Sequence, residues 1–286
     1  MKILILGGDG MLGHQLLKYL RRQHEVRVTL RQTVEHYSND ELFNPNSIYP
    51  NIDVRSLENL LDVVADFQPE AIINAVGIIK QRHEAKEYIP SLEINAILPH
   101  RLASLCKAIN SRFVQISTDC VFSGIKGNYK ESDTPDPPDL YGQTKLLGEV
   151  TDTHSITLRT SIIGRELSRK TGLLEWLLAQ QGQVKGFRKA IFSGFTTIEL
   201  SRIIEKILVD YPHKAGVYQV SSEPISKYDL LNLIKESFGL DIEILPDDIF
   251  QCDRSLDSSR FRDDFNYTPP SWEVMVNELS KQYKRN

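Results

Sequence analysis

The sequence is short of several things, and each shortage excludes a class of protein. Only three cysteines, Cys106, Cys120 and Cys252, occur in 286 residues. They have no C-x-x-C spacing and no histidine cluster beside them, which excludes a disulfide framework and an ordinary zinc site. Buried or half-buried thiols in a reducing compartment fit better. No apolar run reaches the ~18 residues of a membrane helix. The opening Met1–Leu6 is too short for a signal peptide, so the expectation is a cytoplasmic protein without a membrane partner. A net charge of -4 supplies no basic excess for nucleic acid or an anionic membrane surface. The seven histidines lack metal-ligand spacing, and neither repeats nor low-complexity tracts occur. What remains is a globular composition, 41% hydrophobic and 25% charged, ample for a large core.

Periodicity supplies the fold class. Short apolar runs at Ile3–Leu6, Val26–Leu30, Ala71–Val76, Phe113–Ser117 and Ile156–Arg159 alternate with amphipathic stretches at Leu12–Arg21, Leu57–Phe67, Leu92–Ala108 and Tyr141–Thr151. Buried strands alternating with helices predict an α/β protein with a Rossmann-type, doubly wound parallel sheet. Ser56 and the Asp136–Asp139 segment supply helix starts. Beyond about residue 165 the alternation weakens. Helices are expected at Leu173–Gln180, Ile198–Val209 and Lys227–Phe238, a loop at Gly182–Gly194, a strand at Val217–Val220, and a proline-punctuated end. Residues 1–165 are therefore read as a dinucleotide-binding domain and 166–286 as a small α/β substrate domain. The chain is free to cross back, and the active site is expected between the two.

Strand Ile3–Leu6 runs into Gly7-Gly8-Asp9-Gly10-Met11-Leu12-Gly13 and then a helix. Glycine permits the sharp turn and the close approach of a pyrophosphate, while the helix start offers unpaired N–H groups and a positive dipole end. Gly7, Gly10 and Gly13 form one spacing and Gly8, Gly10 and Gly13 another, and both parsings stay open. Gly7, Gly10, Met11, Leu12 and Gly13 are the expected cofactor contacts. The second strand ends at Arg31 with no acid before Glu35, which favours a 2′-phosphate and hence NADPH over NADH. Asp53 and Val54 are suited to the adenine end, although Asp53 also reads as a helix-start residue. Asn74, Ala75 and Val76 form a small-residue strand end that passes beneath a cofactor.

Tyr141-Gly142-Gln143-Thr144-Lys145 carries the chemistry. Four residues apart on a helix, Tyr141 and Lys145 share one face. A ketone reduced by hydride needs a proton, and a phenol of pKa ~10 becomes a workable donor only beside a cation. Ser117-Thr118-Asp119 ends a strand at the carboxyl edge of the sheet, where ligands bind, so Thr118 can hydrogen-bond the same carbonyl.

Ser-Thr-Asp-Cys-Val-Phe-Ser-Gly at 117–124, the Tyr141–Lys145 motif with Leu146–Glu149, and Leu158–Ser161 together resemble the dTDP-4-dehydrorhamnose reductase family. That family belongs to the extended short-chain dehydrogenases/reductases. The likeness spans residues 1–165 and weakens beyond, although Leu256–Arg260 and Trp272 match the family's closing segment. The resemblance implies reduction of a nucleotide-activated 4-keto-6-deoxy sugar with NADPH or NADH. Thr118, Tyr141 and Lys145 are then catalytic, and Tyr141 and Lys145 also contact the cofactor. Lys80, Thr118, Val121, Phe122, Tyr141, Phe187 and Arg188 are then expected at the substrate. Lys185 and Lys189 read equally as a diphosphate clamp or a solvated basic loop, and Asn95 as an active-site support or a plain buried amide. Cys120 and the Ile78–Arg82 loop depart from the family pattern and leave the sugar open. Some members bind magnesium through a glutamate where Gln15 stands here, so no metal is expected. Related dehydratases follow the threonine with an Asp–Glu pair. Here it is Asp119-Cys120, and a thiol is a poor base, so reduction without loss of water is expected. An epimerase or dehydratase, and a non-catalytic NADP-binding regulatory subunit, are the alternatives. A homodimer is the expected assembly.

Overall fold

The computed structural model describes residues 1–37, 41–80, 86–168 and 170–284. Its strands are β1 (Lys2–Leu6), β2 (Glu25–Thr29), β3 (Ile48–Tyr49), β4 (Ala71–Asn74), β5 (Arg112–Ile116), β6 (Ser155–Arg159), β7 (Ile162–Ile163), β8 (Gly182–Phe192), β9 (Phe195–Thr196), β10 (Gly216–Gln219), β11 (Ile225–Ser226) and β12 (Ile242–Asp253). The helices are α1 (Gly13–Leu20), α2 (Leu57–Phe67), α3 (Tyr88–Ser91), α4 (Leu98–Ala108), α5 (Leu140–Leu147), α6 (Leu173–Leu178), α7 (Thr197–Asp210), α8 (Lys227–Phe238), α9 (Ser259–Asp264) and α10 (Trp272–Lys284).

Seven strands form the expected parallel sheet in the order β10-β6-β5-β4-β1-β2-β3. Strand order reverses between β1 and β4, which places a ligand crevice at their carboxyl ends. Strands buried on both faces need continuous apolar runs, and Ile3 to Leu6 are all fully buried. Helix α2 follows from its sequence in the same way. The Ser56 hydroxyl accepts the Asn59 N–H at 3.3 Å as the N-cap, and Gln68 closes the helix in the left-handed region at φ 50°. Leu60, Val63, Val64 and Phe67 then fall on one buried stripe. They pack with Leu4, Leu6, Ile72, Leu102 and Phe113 into one core, each side chain contributing about 1.5–3 kcal/mol. No described helix is long and apolar enough to cross a membrane.

The chain forms two compact units that interleave in sequence. One comprises Met1–Ser117, Asp139–Leu158 and Ser201–Val217; the other comprises Thr118–Pro138, Arg159–Leu200 and Tyr218–Asn286. A single cut at residue 165 does not coincide with them. The second unit carries a three-stranded sheet, β11-β8-β12. Its β8 corrects the loop expected at Gly182–Gly194. Gly186 sits beneath Tyr228 and Ile244, where a Cβ would come within 3.0 Å of both, and Lys185 pairs with Asp247 across the strands at 3.2 Å. The glycine and the lysines that suggest a loop are a close-packing position and the exposed face of a strand. Helix α8 keeps its expected bounds because Ser226 caps its start, accepting the Asp229 N–H at 3.0 Å, and Gly239 ends it at φ 69°. The proline-rich end holds β12, α9 and α10, with Pro246 inside β12 just before its register shift.

Candidate functional site

The glycine turn is built as the first unit requires. Gly7 has φ +82° and donates to the Thr29 hydroxyl at 3.2 Å, while Gly8 donates to the Thr29 carbonyl at 2.9 Å. A Cβ on Gly8 would strike Val28, and one on Gly13 would fall within the Gly7 backbone. Gly7, Gly8 and Gly13 are thus fixed by internal packing. Gly10 differs: a Cβ there would meet only the Gly7 carbonyl oxygen at 3.3 Å and the Ala75 carbonyl oxygen at 4.0 Å. Its open face is the cradle that a pyrophosphate needs, and the turn fits a dinucleotide. Leu12 is buried at the helix start and Met11 half-buried beside it. His14 donates from Nδ1 to the Gly10 carbonyl at 2.8 Å, and buried Tyr37 donates to Asp9 at 2.9 Å, so the turn is held from both sides.

The neighbouring loops bring the other expected cofactor residues to the same sheet edge. Arg31 is exposed just past β2. Asp53 is gripped by Arg55, with Nη2 2.6 Å from Oδ2 and Nε 3.0 Å from Oδ1. That guanidinium, helped by Arg31, holds the carboxyl below the usual carboxylate range. Val54 packs on the core instead of presenting a free side chain. Asn74 is buried at the end of β4, with Ala75 and Val76 half-buried beyond it; the Cβ position of Gly7 lies 2.9 Å from Val76 Cγ2.

Helix α5 delivers the Tyr–Lys pair. Asp139 caps it by accepting the Gly142 N–H at 2.9 Å and pairs with Lys80 at 2.6 Å. The Lys80 ammonium lies 5.8 Å from the centre of the Tyr141 ring, within cation–π range. Gln81 and Arg82, beyond it, lie outside the described residues. Lys145 is 5% exposed and donates to the Ile116 carbonyl, at the end of β5, at 2.5 Å. Burial pushes its pKa down to about 8, and Glu149 one turn later opposes the shift. The α5 backbone is pressed onto a π-helical turn at Leu92–Ile97, where a Cβ on Gly148 would collide with the Asn95 carbonyl. Asn95 is buried, accepts the Ile78 N–H at 2.9 Å, and donates to the Ile78 carbonyl at 3.0 Å and the Thr144 hydroxyl at 3.2 Å.

The second unit opens at Thr118, the residue after Ser117 in the chain. Thr118 is buried; its hydroxyl accepts the Cys120 N–H at 3.1 Å and donates to Asp119 at 3.2 Å. Asp119 also accepts the Ser161 hydroxyl at 2.8 Å. Val121 and Phe122 are fully buried, and Phe122 stacks on Tyr129 at 4.1 Å, so their side chains belong to the packing of this unit. Phe187 packs on Phe250 at 5.0 Å, and Arg188 lies 3.7 Å from Asp248 and over the Tyr228 ring. Cys106 is buried and its thiol is pushed up to about 12, whereas Cys120 and Cys252 are half-buried.

The pattern of the family described as "RmlD substrate binding domain" matches residues 1–285. The chain belongs to this family. dTDP-4-dehydrorhamnose reductase of Aggregatibacter actinomycetemcomitans is 28% identical over 239 residues, covering 80% of this chain and 76% of that one. Methionine adenosyltransferase 2 subunit beta of Bos taurus is 25% identical over 264 residues, covering 84% and 72%. Among solved structures, dTDP-4-dehydrorhamnose reductase of Bacillus anthracis, in complex with NADP, superposes with a TM-score of 0.78 at 22% identity, covering 98% and 99%. At that identity the likeness is one of fold.

Sequence reasoning alone misses the residues that hold the site from behind. Thr29, Arg55 and Gln115 belong to no motif, Asp139 announces itself only as a capping position, and Glu149 only as the last residue of the segment after Lys145. The glycines separate experimentally. Gly13→Ala should cost about 2–3 kcal/mol of stability through the backbone collision. Gly10→Ala should leave the melting temperature within a few degrees while weakening NADPH binding at least about tenfold, because its methyl fills the cradle. Calorimetry and cofactor fluorescence read the two effects, and a Gly10→Ala protein that binds NADPH normally would contradict the assignment.

Lys145 gives a pH signature. Its folded value lies below the ordinary 10.5, so the fold disfavours the charge. That cost is full below pH about 8 and fades between about 8 and 10.5. The unfolding free energy of the unmodified protein, relative to Lys145→Met, should therefore rise by up to about 3 kcal/mol across that window. Urea unfolding of both proteins at neutral and alkaline pH measures it; a difference that does not change with pH would refute the buried charge.

Proposed function

We propose that the protein reduces the keto group of a nucleotide-activated 4-keto-6-deoxy sugar with NADPH, NADH being the alternative, in deoxysugar or polysaccharide biosynthesis. The observation that carries this reading is the Tyr141–Lys145 pair on α5, with the lysine seated on the Ile116 carbonyl at the ligand edge of the sheet. Membership of the family and the reductases among its relatives support it. The open face at Gly10 supports a dinucleotide, and exposed Arg31 supports the 2′-phosphate form.

When bound, the reduced nicotinamide supplies the hydride. Tyr141 gives its phenolic proton to the ketone oxygen as negative charge grows there. The negative charge left on the phenol is met by positive charge nearby, Lys80 beside the ring and Lys145 one turn along α5. Thr118 is the further hydroxyl that the resemblance assigns to the substrate; it donates to Asp119, which also accepts the Ser161 hydroxyl. Elimination would need a base beside the acid Asp119, and half-buried Cys120 is a poor one. Reduction needs no such base.

The likeness to a methionine adenosyltransferase subunit supports a second reading, a cofactor-binding regulatory subunit. Turnover separates the readings. Given a 4-keto sugar nucleotide and excess NADPH, the reductase consumes cofactor in step with a product heavier by two hydrogens. An epimerase leaves mass and cofactor unchanged, and a regulatory subunit yields no product. Tyr141→Phe should keep binding and lower turnover by ~10²–10⁴; full activity in that variant would overturn the assignment of the proton donor.

A further inference from the structure

Asn74 and Gln115 are each 1% exposed, on neighbouring strands of a parallel sheet that buries mostly apolar side chains. The register of β4 and β5 sets them opposite each other. Asn74 Nδ2 donates to Gln115 Oε1 at 2.8 Å, and Asn74 Oδ1 accepts the Val76 N–H at 3.2 Å. Gln115 Nε2 donates to the Ile116 carbonyl at 3.2 Å, the oxygen that also takes Lys145 Nζ. Two apolar side chains of similar shape would serve the sheet as well, because a buried hydrogen-bonded pair adds little over its isosteric apolar replacement. The amide pair therefore asks for a reason beyond the fold.

We propose that Gln115 is a positioning residue for the reaction, which ties the Lys145 ammonium to the strand end beneath the cofactor. Through the Ile116 carbonyl it fixes the acceptor on which Lys145 rests. Through Asn74 it holds Val76, whose side chain lies against Gly7 of the glycine turn. Three elements that must agree in position, α5, the end of β4 and the turn after β1, are joined by one unbroken run of hydrogen bonds and contacts. Glu149, one turn after Lys145, is the charged group that acts on it among the described residues, and Tyr141 stands one turn before it. Strand β5 brings the Ile116 carbonyl, and the residue after it the Ser117 hydroxyl, which donates to Glu149 at 2.7 Å. A charge placed at position 115 would thus be new to the lysine's surroundings.

The inference rests on the proposed reductase only in taking Lys145 as the functional lysine and Val76 as part of the cofactor floor. Its test needs no sugar substrate. Gln115→Glu keeps the acceptor for Asn74 and replaces the donor with an anion. In the ligand-free full-length protein, the Lys145 midpoint, followed by NMR of its ε-methylene, should rise by at least about one pH unit. Gln115→Leu leaves the buried Asn74 amide without its acceptor and should melt several degrees lower, and it should also raise the NADPH dissociation constant about tenfold, with Gln115→Glu closer to normal. A purely structural role would lower melting temperatures and leave NADPH affinity unmoved. An unshifted midpoint in Gln115→Glu, or unchanged NADPH affinity in a folded Gln115→Leu, overturns the proposal. Failure of the unmodified protein to bind NADPH would instead overturn the cofactor reading, and the ligand-free titration would still decide the role of Gln115.

Discussion

A lysine ammonium buried to 5% exposure is the constraint around which the first unit is arranged. Taking such a charge from water is costly unless it gains a close partner. Lys145 gains the Ile116 carbonyl, and that contact is possible only if α5 lies tight against the end of β5. The approach is secured elsewhere. Gly148 lets the end of α5 press on the Asn95 carbonyl, the π-helical turn at Leu92–Ile97 carries that carbonyl, and the Asn95 side chain ties Thr144 to Ile78. Asp139 fixes the first turn of the helix, and with it Tyr141. The same arrangement keeps Lys145 near its titration midpoint, a charge available to a neighbouring phenol yet sensitive to its surroundings.

The cofactor edge follows a different logic. Three of its four glycines are demanded by the protein's own packing, and only Gly10 leaves its face to a ligand. A glycine-rich turn therefore does not announce its ligand by glycine count, and the space left where one Cβ is missing is the more telling feature. Arg31 and Arg55 on the neighbouring loops gather positive charge around Asp53, in a chain whose net charge is -4. Local charge, not the total, is what a phosphate meets.

The sequence was legible where one physical rule dominates. Buried parallel strands such as Ile3–Leu6, the capped stripe of α2 and the Ser226–Gly239 limits of α8 follow from burial and capping alone. The Tyr141–Lys145 spacing likewise reads directly as one helix face. The strand β8 was illegible because Gly186 and its lysines carry a loop's composition while serving the packing and the exposed face of a strand. The helix predicted at Leu92–Ala108 opens as the π-helical turn Leu92–Ile97 before α4, and α3 precedes it; Gly148, from a distant part of the chain, packs on that turn. The Asn74–Gln115 pair and the Ser117–Glu149 bond join residues 41 and 32 positions apart. No local periodicity encodes them. The interleaving of the two units has the same cause, since it depends on which distant segments pack together.

The central claim is that this site moves a hydride from a nicotinamide to a sugar ketone while Tyr141 supplies the proton. Incubating the protein with a 4-keto sugar nucleotide and NADPH deuterated on the transferred face of the nicotinamide, then locating the label by mass spectrometry and NMR, tests it most directly. The account predicts one deuterium on the former carbonyl carbon for each cofactor oxidised, and its near-complete loss in Tyr141→Phe. Deuterium retained in the cofactor while the sugar changes configuration, or no reaction with any such ketone, would contradict it.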